Sequence, residues 1–366
     1  MVSPIGDACA RTLFIAYRQE LTKVYAMLIN SMGRMMEELS PSSVNILKPS
    51  RPAKSDGLRQ RVYAQMRRDF MVAGPFVLHS EIPELLAGAW SLVRETLFVV
   101  GNVDRGSKET IAWAVSKANQ CPFCIDAHFA AVRASNNNKD QLALWAESTA
   151  NARSPILAKP PFTQSHAEHI GTAVAFHYLN RMVSVFLDKK MMPVPDFLDG
   201  MSGAMAKIMM GGMIRKGEDL KPGDSLSLLP QTYASLAWAP VWAESNASIS
   251  ASLSGWSSTI EATMQQHFNE SFINEASDRI DEWMGGPVPD SGQAYTQASD
   301  AFDQSELPCA NLALCTVYAP YRVTTAMLEE ALESSGSRQA LLALVAWAAQ
   351  RAARRCADWS AKAAML

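Results

Sequence analysis

SKETIAWAVSKANQCPFCIDAHFAAV, residues 107–132, is the most informative stretch of this chain, and it predicts two successive helices. Apolar residues, many of them alanine, recur at helical spacing through 107–118. Pro122 suits the first position of the second helix, because its missing N–H has no partner to lose there. We expect the second helix to end near Ser135, where a run of asparagines begins.

The polar residues of this stretch form a candidate redox site. Cys121 and Cys124 are three residues apart and His128 follows four residues later, so all three lie on one face of the second helix. The helix N-terminus favours a thiolate at Cys121, and His128 can accept a proton from Cys124. Glu109, from the preceding helix, would orient the imidazole or relay a proton. The two cysteines are close enough to form a disulfide.

Other interpretations of these residues stay open. The cysteine pair could be half of a structural zinc site, which would need a fourth ligand from outside this stretch. It could also be an inert buried pair, and Glu109 could serve only to favour the dipole of its helix. His166 and His169 begin a distant helix rich in polar residues, and we interpret them as solvated.

Outside residues 107–132 the periodic segments are also helical, and strand-like alternation is scarce, so we predict an all-α fold. The expected helices are 11–38, 59–73, 83–100, 107–118, 122–135, 165–187, 255–284, 292–303, 309–318, 322–334 and 338–362. Residues 41–58, with three prolines, indicate a linker, and 191–230, rich in Met, Gly and Pro, an insertion or interdomain loop.

The second half of the chain weakly repeats the first. Residues 319–325, APYRVTT, align with 121–127, CPFCIDA, through the proline, an aromatic and a branched aliphatic residue. Gln350-Arg351 likewise resembles Asn180-Arg181 within an alanine-rich helix. The alignment places Ala319 and Arg322 at the positions of the two cysteines, so the second copy would be a packing partner without thiol chemistry.

Composition excludes several classes of protein. The 366 residues are 48% hydrophobic and 19% charged, with a net charge of −3 and no long basic block, which argues against a nucleic-acid partner. No apolar run approaches the roughly 18 residues that span a bilayer. The N-terminus lacks a signal-peptide pattern, so we expect no membrane association and a cytoplasmic location. Among six cysteines, Cys9, Cys309, Cys315 and Cys356 have apolar neighbours and are expected in the core.

The string SKANQCPFCIDAH, with Glu109 twelve residues before Cys121, resembles the alkylhydroperoxidase D-like (AhpD-like) branch of the carboxymuconolactone decarboxylase family. Asn180-Arg181 within FHYLNRMV also resembles the family core. The resemblance is specific over about residues 80–187, faint in the second half and absent from the N-terminal arm. Phe123 stands where some relatives carry a second histidine, so one element of the relay is in doubt.

The resemblance implies an all-α AhpD-like fold, here as two tandem copies with the second degenerate, in a chain that forms homo-oligomers. We expect an N-terminal arm and linker over 1–75, a catalytic domain over 76–240 and a degenerate domain over 241–366.

The resemblance also implies a peroxidase cycle. Cys124 would attack the peroxide, Cys121 would resolve the sulfenic acid, and Glu109 with His128 would relay protons. The site would need no metal or cofactor beyond the redox-active Cys121–Cys124 disulfide, which an external thiol or disulfide-reductase partner would reduce.

The function predicted from the sequence is therefore a thiol-dependent peroxidase acting on a hydroperoxide or other small molecule. One alternative is a thiol–disulfide oxidoreductase acting on partner disulfides, in which Cys121 would be the exchanging thiol. Further alternatives are a scaffold recruited to a metal-dependent or biosynthetic reaction, and a binding protein with a vestigial site.

Overall fold

The computed structural model describes residues 37–135, 140–187, 219–230, 238–286 and 301–365, together with positions 27, 31, 33 and 34. Helices α1 to α11 are Gly57–Asp69, Pro83–Val93, Arg105–Ala118, Pro122–Ser135, Asp140–Ser148, His166–Phe186, Ala247–His267, Glu270–Asp281, Leu307–Tyr318, Thr325–Ser335 and Arg338–Ala364. The predicted all-α class is confirmed. Most of the expected helices 11–38 and 292–303 and of the 191–230 insertion lies outside the described residues.

Helices α6 and α11 pack against each other in the core. Ser337 caps the N-terminus of α11: its hydroxyl accepts a hydrogen bond from the backbone N–H of Ala340 at 3.1 Å. Large aromatic side chains fill the core around them, and Trp90, Trp256 and Trp347 are fully buried. None of the described helices combines the length and apolar character that a bilayer crossing requires.

Helix contacts in the second half follow the pattern of the first. Helix α6 packs on α2 and α3, and α3 packs on α5; in the same way α11 packs on α7 and α9, and α9 packs on α10. The two halves meet where α6 contacts α11 and where α2 contacts α7. This pairing supports the predicted tandem arrangement, while the domain boundaries given above stay a prediction.

No counterpart of the cysteine-bearing helix occurs between α9 and α10, a stretch that the structure describes throughout. Where α4 would recur, Pro320–Arg322 forms a single 3-10 turn, and α10 begins only at Thr325. The predicted helix 322–334 therefore starts three residues too early. The predicted helix 255–284 is also wrong as one element, because Asn269 interrupts it. The side chain of Asn269 accepts from the N–H of Phe272 at 2.8 Å and so begins α8.

A buried ion cluster fixes the short segment 219–230 to the first half. One turn of π-helix, Arg94–Phe98, extends α2 and places Arg94 and Glu95 in the interior. The Arg94 guanidinium donates to Asp69 at 2.7 Å and to Glu95 at 2.6 Å. The Glu95 carboxylate also accepts from Ser225 Oγ at 2.6 Å. Each buried charge thus has an opposite charge beside it.

A tight backbone contact joins the end of α5 to the end of α8, and it makes Gly285 sensitive to substitution. Gly285 has φ +71°, and an added Cβ would lie 2.1 Å from the carbonyl oxygen of Ala150. Gly285→Ala should therefore combine left-handed strain with a backbone clash and lower the free energy of unfolding by about 3 kcal/mol. Urea unfolding of the purified variant measures this loss.

Gly336 provides the matched control, because its φ is +75° and an added Cβ would meet nothing within 4 Å. Gly336→Ala should lower the free energy of unfolding by about 1 kcal/mol, from backbone strain alone. Equal losses in the two variants would show that the clash at Ala150 is relieved without cost.

Candidate active site

A tight turn between α3 and α4 brings the predicted site residues together. Asp104 caps the N-terminus of α3: its carboxylate accepts a hydrogen bond from the N–H of Ser107 at 3.0 Å. After α3, Gln120 takes a left-handed backbone conformation with φ +52°, and the N–H of Cys121 donates back to Ser116 at 3.1 Å. The chain therefore reverses directly before α4, and the two helices lie side by side.

Cys121 directly precedes α4 and Cys124 lies in its first turn, with their sulfurs in contact. The Sγ atoms of Cys121 and Cys124 are 2.8 Å apart, and both residues are free thiols at least 98% buried. This placement follows from their spacing of three residues at the helix start. The pair is positioned to form a disulfide with small local movement.

The two thiols differ in acidity. Burial opposes ionisation of Cys121, but hydrogen bonds from the Cys124 side chain and backbone N–H outweigh it and lower the pKa of Cys121. For Cys124, burial and the hydrogen bond and charge of Cys121 raise the pKa well above that of a free thiol. Cys121 is therefore the thiol that ionises first, and Cys124 keeps its proton when the pair carries one negative charge.

Glu109 and His128 face each other across the two helices. The imidazole Nδ1 lies 2.6 Å from Glu109 Oε2, and the ring edge packs on Phe176 with centroids 4.4 Å apart. The His128 side chain is 16% exposed, whereas Glu109 is buried. Glu109 thus holds one ring nitrogen and leaves Nε2 for other partners.

Arg105 completes this group, and the sequence interpretation missed it. Its guanidinium donates to Glu109 Oε1 from both Nε, at 2.8 Å, and Nη2, at 2.7 Å. Burial favours protonation of Glu109, but the charges of Arg105 and His128 outweigh it and lower the pKa to about 2. Glu109 is therefore ionised at neutral pH. Its spacing of four residues from Arg105 was a signal that could have identified the pair.

The predicted solvation of the α6 histidines is wrong for His169. Its ring is buried and stacks on Phe162, with centroids 3.9 Å apart, and burial lowers its pKa. His166 is half-buried and packs edge-on against the same phenylalanine. Among the residues with described positions, no group of three or more His, Cys, Asp or Glu side chains is arranged to hold a metal ion.

The remaining cysteines behave as apolar core residues. Cys309, Cys315 and Cys356 are buried, as predicted, and burial raises the pKa of each thiol. Cys9 lies outside the described residues. Within the described ranges, the low-pKa thiol is that of Cys121.

Comparison with known proteins identifies the family of this chain. The model of the carboxymuconolactone decarboxylase family matches residues 83–153, which span α2 to α5 and contain Glu109, both α4 cysteines and His128. The chain is also 31% identical over 348 residues to the alkyl hydroperoxide reductase Rv2159c of Mycobacterium tuberculosis. That alignment covers 88% of this chain and 96% of the relative. With a relative of this similarity along nearly its whole length, the chain belongs to the carboxymuconolactone decarboxylase family, in its AhpD-like branch.

Proposed function

We propose that this protein is a thiol-dependent peroxidase that reduces hydroperoxides with the Cys121–Cys124 pair. The observation that carries the proposal is a pair of buried sulfurs 2.8 Å apart on the same helix as an imidazole held by a carboxylate. The alkyl hydroperoxide reductase name of the mycobacterial relative supports the same activity.

Cys124 is the attacking thiol in this proposal, and Cys121 is the resolving thiol. Cys121 first gives its proton to His128, and Cys124 then passes its own proton to the Cys121 thiolate. The Cys124 thiolate attacks the peroxide, breaking the O–O bond to form a sulfenic acid. The leaving alkoxide takes a proton from His128 and departs as the alcohol.

The second step, attack by the resolving thiol, returns His128 to its starting protonation state. Cys121 gives a proton to His128 and attacks the sulfenic sulfur, which forms the disulfide and releases hydroxide. His128 protonates the hydroxide to water. The sum is two thiols and one hydroperoxide giving one disulfide, one alcohol and one water. The low pKa of Cys121 suits it to this second attack, and later to leaving as a thiolate when the disulfide is reduced.

Glu109 orients the base and carries no proton itself. With a pKa of about 2 it stays ionised at neutral pH, so it accepts the Nδ1 hydrogen and stabilises an imidazolium. This narrows the role predicted from the sequence, where Glu109 would either orient the ring or relay a proton.

Burial of the sulfurs favours a small oxidant over a protein disulfide. Cys121 is 1% exposed and Cys124 is 2% exposed, and disulfide exchange requires access for the attacking group. The alternative of a thiol–disulfide oxidoreductase is supported only by the low pKa of Cys121. The proposal further includes an external thiol or disulfide reductase that regenerates the pair, and a homo-oligomer in the cytoplasm.

A stoichiometric reaction tests the function. Reduced protein treated with one equivalent of tert-butyl hydroperoxide should lose two thiols per chain and yield one equivalent of tert-butanol. Peptide mapping should find the new disulfide between Cys121 and Cys124, with Cys309 and Cys315 still reduced. An unchanged thiol count, under conditions where added disulfides are reduced, would contradict the peroxidase and favour the oxidoreductase.

A further inference from the structure

A chain of buried hydrogen bonds runs from Arg181 through Asn180 to the backbone carbonyl of Ala112. Arg181 Nη1 donates to Asn119 Oδ1 at 3.3 Å, and Asn119 Nδ2 donates to Asn180 Oδ1 at 3.0 Å. Asn180 Nδ2 donates to Ser116 Oγ at 3.0 Å, and Ser116 donates to the carbonyl of Ala112 at 2.7 Å. All four side chains are buried.

The two ends of this chain fix its direction. A guanidinium can only donate and a carbonyl can only accept, so each amide between them has one satisfactory orientation. The Asn180 amide nitrogen must face Ser116, and its second N–H remains for another acceptor. Cys124 suits that place, because hydrogen bonding from the Asn180 side chain opposes the rise in the pKa of Cys124 that burial and Cys121 cause.

His177 reinforces the same orientation. Its Nδ1 lies 3.2 Å from Asn119 Nδ2 and so acts as an acceptor, which places the ring hydrogen on Nε2, 2.8 Å from Thr149 Oγ1. Burial and the charge of Arg181 lower the pKa of His177 well below its usual value. The ring is therefore neutral and keeps Asn119 in its donor orientation.

The second half of the chain holds Arg181 in place. Its Nη2 donates to the carbonyl of Val317 in α9 at 3.2 Å, and the guanidinium lies over the Trp283 ring, 5.3 Å from the centroid. These contacts join the half that lacks the cysteine pair to the half that contains it.

We propose that Asn180 is a catalytic hydrogen-bond donor to the Cys124 thiolate, and that the second half of the chain fixes its direction through Arg181 and Asn119. The proposal deepens the peroxidase function and rests on it for its catalytic meaning. In this scheme Asn180 stabilises the charge that Cys124 acquires when it passes its proton to Cys121, and Arg181 and Asn119 are positioning residues.

Titration of a single thiol tests the first part. In a Cys121→Ser background, the ultraviolet thiolate absorbance against pH, less that of the Cys121→Ser/Cys124→Ser double variant, reports Cys124 without any peroxide. Adding Asn180→Leu should raise the pKa of Cys124 by about one unit or more, because a hydrogen bond to a charged group is lost. Alkylation of Cys124 by iodoacetamide at neutral pH should slow about tenfold.

A second pair of variants isolates the donor from the packing. Asn180→Ser and Asn180→Ala leave nearly the same cavity, but only serine retains a donor, so the pKa should be lower in Asn180→Ser. If Asn180→Leu does not fold, as judged by circular dichroism, this pair carries the test. The same Cys124 pKa with alanine as with asparagine would overturn the role of Asn180.

Arg181→Met tests the contribution of the second half, with Arg351→Met as its control. Arg351 is the repeat counterpart of Arg181 and pairs with Asp281 at 3.1 Å. Arg181→Met should raise the pKa of Cys124 by about half a unit or more, and Arg351→Met should leave it unchanged. An unchanged pKa in Arg181→Met would overturn the role of the second half. If the Cys124 pKa shifts as expected in the Asn180 and Arg181 variants but the protein consumes no peroxide, the hydrogen-bond proposal stands and the peroxidase function is overturned.

Discussion

Cys124→Ser should reduce peroxide consumption by about a thousandfold or more, to the level of a protein without an active thiol. A serine hydroxyl stays protonated at neutral pH and cannot break the O–O bond. Cys121→Ser should behave differently, because the attacking sulfur remains. It should consume one equivalent of peroxide and then stop, leaving a sulfenic acid at Cys124 that mass spectrometry detects as one added oxygen.

Cys315→Ser is the matched control for both variants. It makes the same change of sulfur to oxygen at a buried thiol, 1% exposed, in the half that lacks the pair. Turnover should stay near that of the unmodified protein. The opposite behaviour of the two α4 variants, with Cys121→Ser inactive and Cys124→Ser reacting once, would exchange the roles of attacking and resolving thiol. The low pKa of Cys121 is the property that would explain such a result.

Local spacing in the sequence was enough to predict the centre of the site. Three- and four-residue intervals fix which side chains share a helix face, so Cys121, Cys124 and His128 could be placed together on α4. The contact between Glu109 and His128 depends on the turn between two helices. It was expected because the helices are consecutive and the connection has few residues.

Residues that act through tertiary contacts were not predicted from the sequence. Asn119 follows α3 as an ordinary polar residue, and only the packing of α6 brings Asn180 and His177 to it. His169 looked solvated because its sequence neighbours are polar, but Phe162 covers it from the preceding loop. Burial of this kind depends on how distant segments pack, and a single-sequence pattern does not contain that information.

Helix boundaries show the same division between local and distant causes. The start of α8 depends on the side chain of Asn269, a capping residue visible in the sequence but placed inside a long apolar pattern. The 3-10 turn at Pro320–Arg322 stands instead where the whole helix α4 stands in the first half. The alignment of Pro320 with Pro122 identified the position but not that change of structure.

Arg105→Leu should lower the free energy of unfolding at pH 7 by about 3 kcal/mol. The substitution removes the guanidinium that donates twice to Glu109 and leaves a buried carboxylate with the His128 imidazole as its remaining partner. In the unsubstituted protein, the pKa of Glu109 is about 2, below its value of about 4.3 in the unfolded chain. It therefore stabilises the protein fully above pH 4.3, and this contribution is lost as the pH falls through 2.

The pH dependence separates this electrostatic loss from a simple loss of packing. Without Arg105, burial raises the pKa of Glu109. The variant therefore loses the most free energy of unfolding at pH values where the carboxylate is ionised. The stability difference between the two proteins, measured by urea unfolding, should be largest at pH 7 and shrink towards pH 4. A difference that stays constant over this range would mean that Arg105 contributes through its contacts with neighbours such as Phe98, over whose ring it lies.

Arg279→Leu gives the exposed counterpart. Arg279 pairs with Glu275 at 3.0 Å with the same four-residue spacing, but the two side chains are 35% and 34% exposed. Water screens such a pair, so the variant should lose less than about 0.5 kcal/mol at either pH. The contrast between the two pairs follows from their burial: an Arg–Glu pair of the same spacing contributes almost nothing to stability when it is exposed on α8. The buried pair on α3 stabilises the protein, because Arg105 keeps Glu109 ionised beside the His128 imidazole.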